Sequence, residues 1–433
     1  MEINSQKLKD NPVGFFPPFV NLSESGRIIL IAKRYREMGG NPIVFSNGGK
    51  YEFLAEKNGF NLIRLEPIIS EKLVENYFKV VSGERVKSNE FLDEKWLYDS
   101  VKGQIAAFKK TNIKLLVSAN NATCSISAKA SNIPYINVVP CCGPCAIKIP
   151  EDLENPFTIL VPQFIKKRIL NWVFMHSKRY LKTINNVVKK FGAQPFKYSY
   201  MLFKADITFI TGFPEFLDVF PLPIKIDENW IGMISLNELF EDEMQTKEAI
   251  RIDGKIKNHL KRPGKSILVS LGSSGTTEVF KSILDTLDGT EFNVIAIHSL
   301  ILNENLQSKY NDNILLLKFV PSIERLNELV DLAIIHGGQG TVYTAAYAKK
   351  PVIGIPMHIE QHNNLERIVG HGMGLMLSKK NFSKKRLLNA IDEIFSNYDK
   401  YHNNAIKLGN KLPPFEGDKK AAKRIAEIVN SLV

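Results

Sequence analysis

The sequence predicts an α/β protein built from two Rossmann-like, doubly wound domains that face each other across a cleft. Three observations lead there. The 433 residues are about twice the length of a usual single domain. Short apolar runs of buried-strand type alternate with helix-like segments in both halves, as in parallel sheets covered by helices. Charged, helix-like sequence interrupts that alternation near residues 236–262. The expected division is therefore a domain over 1–235, a linker over 236–262, and a second domain over 263–433 that includes the terminal helices.

In the first half, Val13–Phe16 reads as a strand that runs through Pro17-Pro18 into a loop. Ser25-Gly26 opens a helix with Ile28, Ile31, Ala32, Tyr35 and Met38 on one face, and Gly39-Gly40 stops it. Strands Ile43–Phe45 and Asn61–Leu65 flank a helix over Tyr51–Lys57, and Leu115–Ser118, Tyr135–Val139 and Ile207–Ile210 are further strands. The second half supplies strands Ser266–Ser270, Asn293–Ile297, Ile314–Phe319, Leu332–Ile335 and Val352–Ile355. Its helices are Thr277–Leu287, Thr341–Ala348 and Asn363–His371.

An apolar content of 44% with 24% charged residues fits a globular protein with full cores. No apolar run reaches the length of a membrane-spanning helix, and polar Met1–Asp10 does not resemble a secretory signal. A cytoplasmic address is expected. The net charge of +12 is concentrated, since residues 155–205 hold ten Lys/Arg and no Asp or Glu. That pattern suggests one patch facing an anionic partner rather than a nucleic-acid-binding surface. Within it, Phe157, Leu160, Phe164, Ile165, Ile169, Trp172 and Val173 are spaced as apolar helical faces. Residues 157–191 are thus either a foot on an anionic membrane or a helix packed on the first sheet with a solvated basic side. Cys142-Gly143-Pro144-Cys145, beside Cys141, has redox-motif spacing, but Pro150 follows too soon for the helix that such chemistry uses. Reduced loop thiols are the expectation.

The sharpest motif is His336-Gly337-Gly338-Gln339-Gly340-Thr341, which follows a strand and opens a helix. Glycines let backbone N–H groups approach an anion, and the helix N-terminus favours negative charge. His336 is placed to donate to the same phosphate. The plainer alternative is a left-handed turn around a buried, satisfied histidine. After the next strand, Pro356–Asn364 offers Glu360 and Gln361, an acceptor and a mixed donor–acceptor suited to sugar hydroxyls. Gly272-Ser273-Ser274 and Phe319-Val320-Pro321 lie at the same strand ends. The first suits phosphate, and the second places an aromatic ring where a base can stack.

In this order, these elements over about Ser266–Leu377 resemble the donor domain of family-1-type GT-B glycosyltransferases. The resemblance implies a nucleotide-diphosphate sugar as co-substrate, with no other cofactor. It implies Phe319 stacked on the base and the Val320 backbone paired with it. His336, Gly340 and Thr341 would then hold the diphosphate, and Glu360 with Gln361 the sugar, with Asn364 close by. Two departures stand out. Thr344 takes the place of the Glu that clamps the ribose in similar proteins, which opens UDP- and dTDP-sugars alike. Ser23-Glu24 takes the place of the Gly-His that carries the base, and its orienting Asp falls near Ala119 or Asn120, where no carboxylate stands.

The reading that follows is an inverting hexosyl transfer to an unidentified hydroxyl acceptor, with lipid-linked acceptors included. Glu24 is the candidate base. Neutralising the leaving diphosphate needs no metal if the helix N-terminus and His336 do it, and the chain has no Asp-x-Asp motif. The alternatives are a sugar-nucleotide epimerase or hydrolase of the same fold, and a donor-binding homologue without chemistry.

Overall fold

The computed structural model describes all residues except 1–3, 82–92, 141–160, 203, 218–226, 228, 241–245, 273–274, 299–306, 319, 321 and 433. The Cys141, Cys142 and Cys145 cluster, and Ser273, Ser274 and Phe319, lie outside the described residues.

Two six-stranded sheets organise the chain. The first contains β1 (Val13–Phe16), β2 (Pro42–Ser46), β3 (Leu62–Arg64), β4 (Leu115–Ser118), β5 (Tyr135–Val139) and β6 (Ile207–Ile210), in the order β3-β2-β1-β4-β5-β6. The second contains β7 (Ser266–Ser270), β8 (Asn293–Ile297), β9 (Ile314–Leu317), β10 (Leu332–Ile335), β11 (Val352–Gly354) and β12 (Gly374–Met376), in the order β12-β11-β10-β7-β8-β9. The strand pairs are parallel. β1, β4, β7 and β10 are buried along their whole length, as strands covered on both faces must be. Both sheets have the doubly wound Rossmann order. Each reverses winding direction between two central strands, β1 with β4 and β7 with β10, and opens a crevice beyond their carboxyl ends.

Three boundaries differ from expectation. The first helix spans Leu22–Glu37 and begins a turn before Ser25, because the Asn21 side chain caps it by accepting from the Glu24 N–H at 2.8 Å. Residues 236–262 are packed structure rather than a loose linker. The helix Lys247–His259 buries Ile252 and Ile256 against Leu268, Ile295 and Leu317 of the second sheet. The last helix, Gly417–Leu432, returns to the first domain. Its Ala421, Ala422, Ile425 and Val429 share a core with Ile28, Ile31 and Tyr35, and Asp418 pairs with Arg34 at 2.7 Å.

A third core joins the halves. Ile210, Phe213, Phe216 and Met233 pack with Ala333, Ile335, Val342 and Tyr343. The Phe213 N–H donates to the Tyr343 hydroxyl at 2.9 Å.

Candidate active site

The second crevice is built around His336, one residue past β10. An added Cβ at Gly272 would lie 2.6 Å from the His336 ring, and one at Gly338 only 2.5 Å from its Nε2. The ring is thus clasped between two residues that must be glycine, and Gly272 (φ +58) also has a left-handed backbone. Burial, with His358 as a neighbour, pushes the His336 pKa down to about 4, and burial does the same to His358. Both imidazoles are neutral near pH 7. The Ser270 backbone, as a hydrogen-bonding neighbour of the ring, draws the His336 pKa back up against that burial.

The helix Gln339–Tyr347 starts beside that ring with Gly338 as N-cap and no side-chain cap. Its first N–H groups have no intrahelical acceptor, and Gly340 leaves open space above them, its nearest neighbour to an added Cβ being Met233 at 4.0 Å. Thr341 Oγ1 donates to the Gly338 carbonyl at 2.9 Å. The Gln339 side chain is engaged across the domain boundary, accepting from Thr211 Oγ1 at 3.0 Å and donating to the Thr211 carbonyl. Gln339 therefore offers a ligand its backbone N–H rather than its amide.

The helix Ile359–Gly370 brings the third loop in. Gln361 Oε1 accepts from the Met357 N–H at 2.8 Å and shapes its start. Asn364 Nδ2 donates to the Gly337 carbonyl at 3.0 Å and ties it to the glycine turn. Val320 packs its side chain in the core with Ile252 and Leu317. Thr344 is buried, its hydroxyl bonded to the Thr341 carbonyl and the Asn327 amide.

The first crevice holds Glu24. Its Oε2 accepts from Asn21 Nδ2 at 2.5 Å and its Oε1 from Asn120 Nδ2 at 2.6 Å. Asn120 adopts a left-handed backbone (φ 47) two residues past β4, and Asn137 of β5 accepts from its N–H at 2.9 Å. Asn120, near where the resemblance puts an orienting carboxylate, thus reaches Glu24 with its amide. Burial raises the Glu24 pKa, the Asn120 and Asn21 amides and Arg27 pull it back, and Glu360 pushes it up again. Glu360 is likewise raised by burial and drawn down by Arg27 and Asn364.

One carboxyl from each domain therefore shares the buried Arg27, whose Nη2 donates to Ser23 Oγ at 2.8 Å. Sequence reasoning missed Arg27 and His358, and reached position 120 only through the resemblance. Arg27 is legible only as a charge immediately before the apolar run Ile28–Ala32. The Asn21–Glu24 spacing was a readable capping signal.

The profile of the glycosyltransferase family 28 C-terminal domain matches residues 266–426. UDP-glucuronosyltransferase 2B17 of Mus musculus is 38% identical over 21% of this chain and 17% of its own length. The UDP-N-acetylglucosamine–N-acetylmuramyl-(pentapeptide) pyrophosphoryl-undecaprenol N-acetylglucosamine transferase of Glaesserella parasuis is 28% identical over 39% of this chain and 49% of its own length. This chain spans half or less of the length of the curated relatives it matches. Among solved structures, the glycosyltransferase VinC in complex with DTDP superposes with a TM-score of 0.61 at 14% identity, over 96% of this chain and 100% of that one. The fold is that of the two-domain GT-B structures, two parallel six-stranded Rossmann-like sheets among the described residues. Residues 266–426 are similar to the family 28 C-terminal domain, and about a fifth of the chain is similar to UDP-glucuronosyltransferases.

Proposed function

We propose that this protein transfers a hexosyl group from a UDP- or dTDP-sugar to an acceptor hydroxyl, with inversion and without a metal. The carrying observation is that both crevices present charged groups to each other, with Glu24 and Arg27 from one domain facing Glu360 from the other. In this reading the diphosphate lies on the Gln339–Tyr347 helix N-terminus and accepts a hydrogen bond from neutral His336. Glu360 and Gln361 hold the sugar, and the aromatic ring of Phe319 holds the base. The acceptor oxygen attacks the anomeric carbon from the Glu24 side, the bond to the diphosphate oxygen breaks, and the acceptor proton passes to Glu24. Burial that raises a carboxyl's pKa makes it a better base at neutral pH. The reaction is placed in the cytoplasm, with lipid-linked hydroxyls within the acceptor range.

The test is incubation of the purified protein with UDP- and dTDP-sugars, with and without a panel of hydroxyl acceptors. Acceptor-dependent release of nucleoside diphosphate is expected. Conversion of donor without acceptor would replace this reading with an epimerase or hydrolase, and binding without turnover would replace it with a donor-binding homologue.

A further inference from the structure

The helix Gln163–His176 exposes what soluble helices bury. Phe164 is 67% exposed, Ile169 54%, Trp172 63% and Val173 50%, with Ile165 also on the surface. At roughly 100° per residue, Phe164, Ile165, Ile169, Trp172 and Val173 fall within one half of the helix circumference, and exposed Arg168 falls among them. Lys166, about 20° beyond Val173 on the same projection, is buried at 4% exposure and marks the edge at which the helix meets the protein. Among the described residues, the end of this helix is tied to the rest of the domain. His176 meets the Tyr198 ring at 5.1 Å, and the Ser199 N–H donates to the Ser177 carbonyl at 2.8 Å. The apolar face is therefore turned outward, contrary to the alternative in which it packs on the first sheet.

Charge narrows what covers this face. Lys178, Arg179 and Lys182 follow the helix and are exposed, and no Asp or Glu occurs between residues 155 and 205. A neutral apolar partner would leave those cations unmatched, whereas a second copy of the chain would set them against each other. A surface that is apolar inside and anionic at its rim satisfies both halves. We propose that the Gln163–His176 helix is a foot that seats the first domain on an anionic lipid surface, with Trp172 and Phe164 entering the headgroup boundary and Arg168, Lys178, Arg179 and Lys182 meeting lipid phosphates. The foot lies in the crossover between β5 and β6, in the domain that carries Glu24. It rests on the transferase reading only in giving a lipid-borne acceptor a route to that domain.

The experiment is flotation of the full chain with vesicles of phosphatidylcholine alone or mixed with phosphatidylglycerol, read beside Trp fluorescence. Binding to the mixed vesicles, with a blue shift, is expected at low salt and should weaken steeply at high salt. Arg168→Gln combined with Lys178→Gln and Arg179→Gln should lower vesicle affinity by roughly 160-fold, at about 1 kcal/mol per basic group and about 1.4 kcal/mol per tenfold. Trp172→Ser with Phe164→Ser should abolish insertion without harming the fold, both side chains being exposed. No flotation with anionic vesicles overturns the proposal. So does binding that ignores the substitutions, or a concentration-dependent dimer that Trp172→Ser dissolves. Nucleoside diphosphate release on a soluble acceptor, measured without vesicles, reports separately on the transferase reading.

Discussion

At the scale of single residues, the site combines neutral imidazoles with raised carboxyls, and each makes a different demand. Glu24→Gln keeps the shape and one of the two hydrogen bonds accepted from the Asn21 and Asn120 amides while removing basicity. Turnover should fall by roughly 10²–10⁴ with donor affinity unchanged, and near-normal turnover would return Glu24 to a helix-capping role. His336→Ala should weaken nucleoside diphosphate binding by about 1–3 kcal/mol if it donates to a charged phosphate, which calorimetric titration measures. The sign of its pH dependence follows from the pKa near 4, well below the ordinary value for histidine. Below about pH 6.5 the unfolded imidazole gains a proton that the native one refuses, so stability is full above that pH and drains away towards pH 4. His358 adds in the same direction, while Glu24 and Glu360, raised by burial, lose their contribution as pH rises through theirs. Melting scans between pH 7 and 5 should show a shallower loss for His336→Asn than for the parent chain, and equal slopes would refute the buried neutral state. A bound diphosphate favours the protonated ring, so the protection it gives should grow as pH falls.

At the scale of elements, the glycine turn is a steric device as much as an anion cradle. Gly338 has an ordinary backbone (φ −59), so alanine there adds no backbone strain and the whole cost comes from the 2.5 Å approach to His336. Gly338→Ala should cost about 1–3 kcal/mol through overpacking and displace the ring from the phosphate position. Adding His336→Ala should restore most of the stability but not the donor affinity. Two additive losses would mean the ring is not the obstacle. The strands were legible because residues buried on both faces read as unbroken apolar runs, and the donor loops because glycines follow those runs. The first helix start was misjudged by a turn because Ser25-Gly26 looked like a cap while Asn21 was the cap. β12 is three residues long and starts with Gly374, too short to stand out. Ile252 and Ile256 were hidden among charges, so their helix read as linker. Local pattern does not pair Asn120 with Glu24, because that contact exists only once β1 and β4 lie side by side; only the resemblance puts the orienting position near Ala119 or Asn120.

At the scale of the whole molecule, the two domains are fastened by contacts that no local pattern announces. An amphipathic stripe on Gly417–Leu432 says which face is buried but not which domain buries it. The answer comes from Arg34, which pairs with both Glu238 and Asp418. Residues 210–217 carry the second fastening. Phe213 meets the Tyr343 ring edge-on and Phe216 lies tilted against it, His371 Nε2 lies 2.8 Å from the Phe216 carbonyl, and Gln339 is held by Thr211 at the N-terminus of the proposed phosphate helix. A fragment beginning near Lys261 would strip the apolar cover from Ile335, Val342 and Tyr343 and leave the last helix without its partner. The domains should therefore unfold together. Scanning calorimetry of the whole chain is expected to show one transition whose calorimetric and van't Hoff enthalpies agree, moved upward as a unit by nucleoside diphosphate. Two resolved transitions, with only one responding to the nucleotide, would show that the shared core does not couple the halves and that the donor domain can stand alone. Gln339→Ala separates latch from scaffold. It removes the Thr211 contact while keeping the backbone N–H at the helix start, so it should loosen the domains and lower turnover more than it lowers nucleotide affinity.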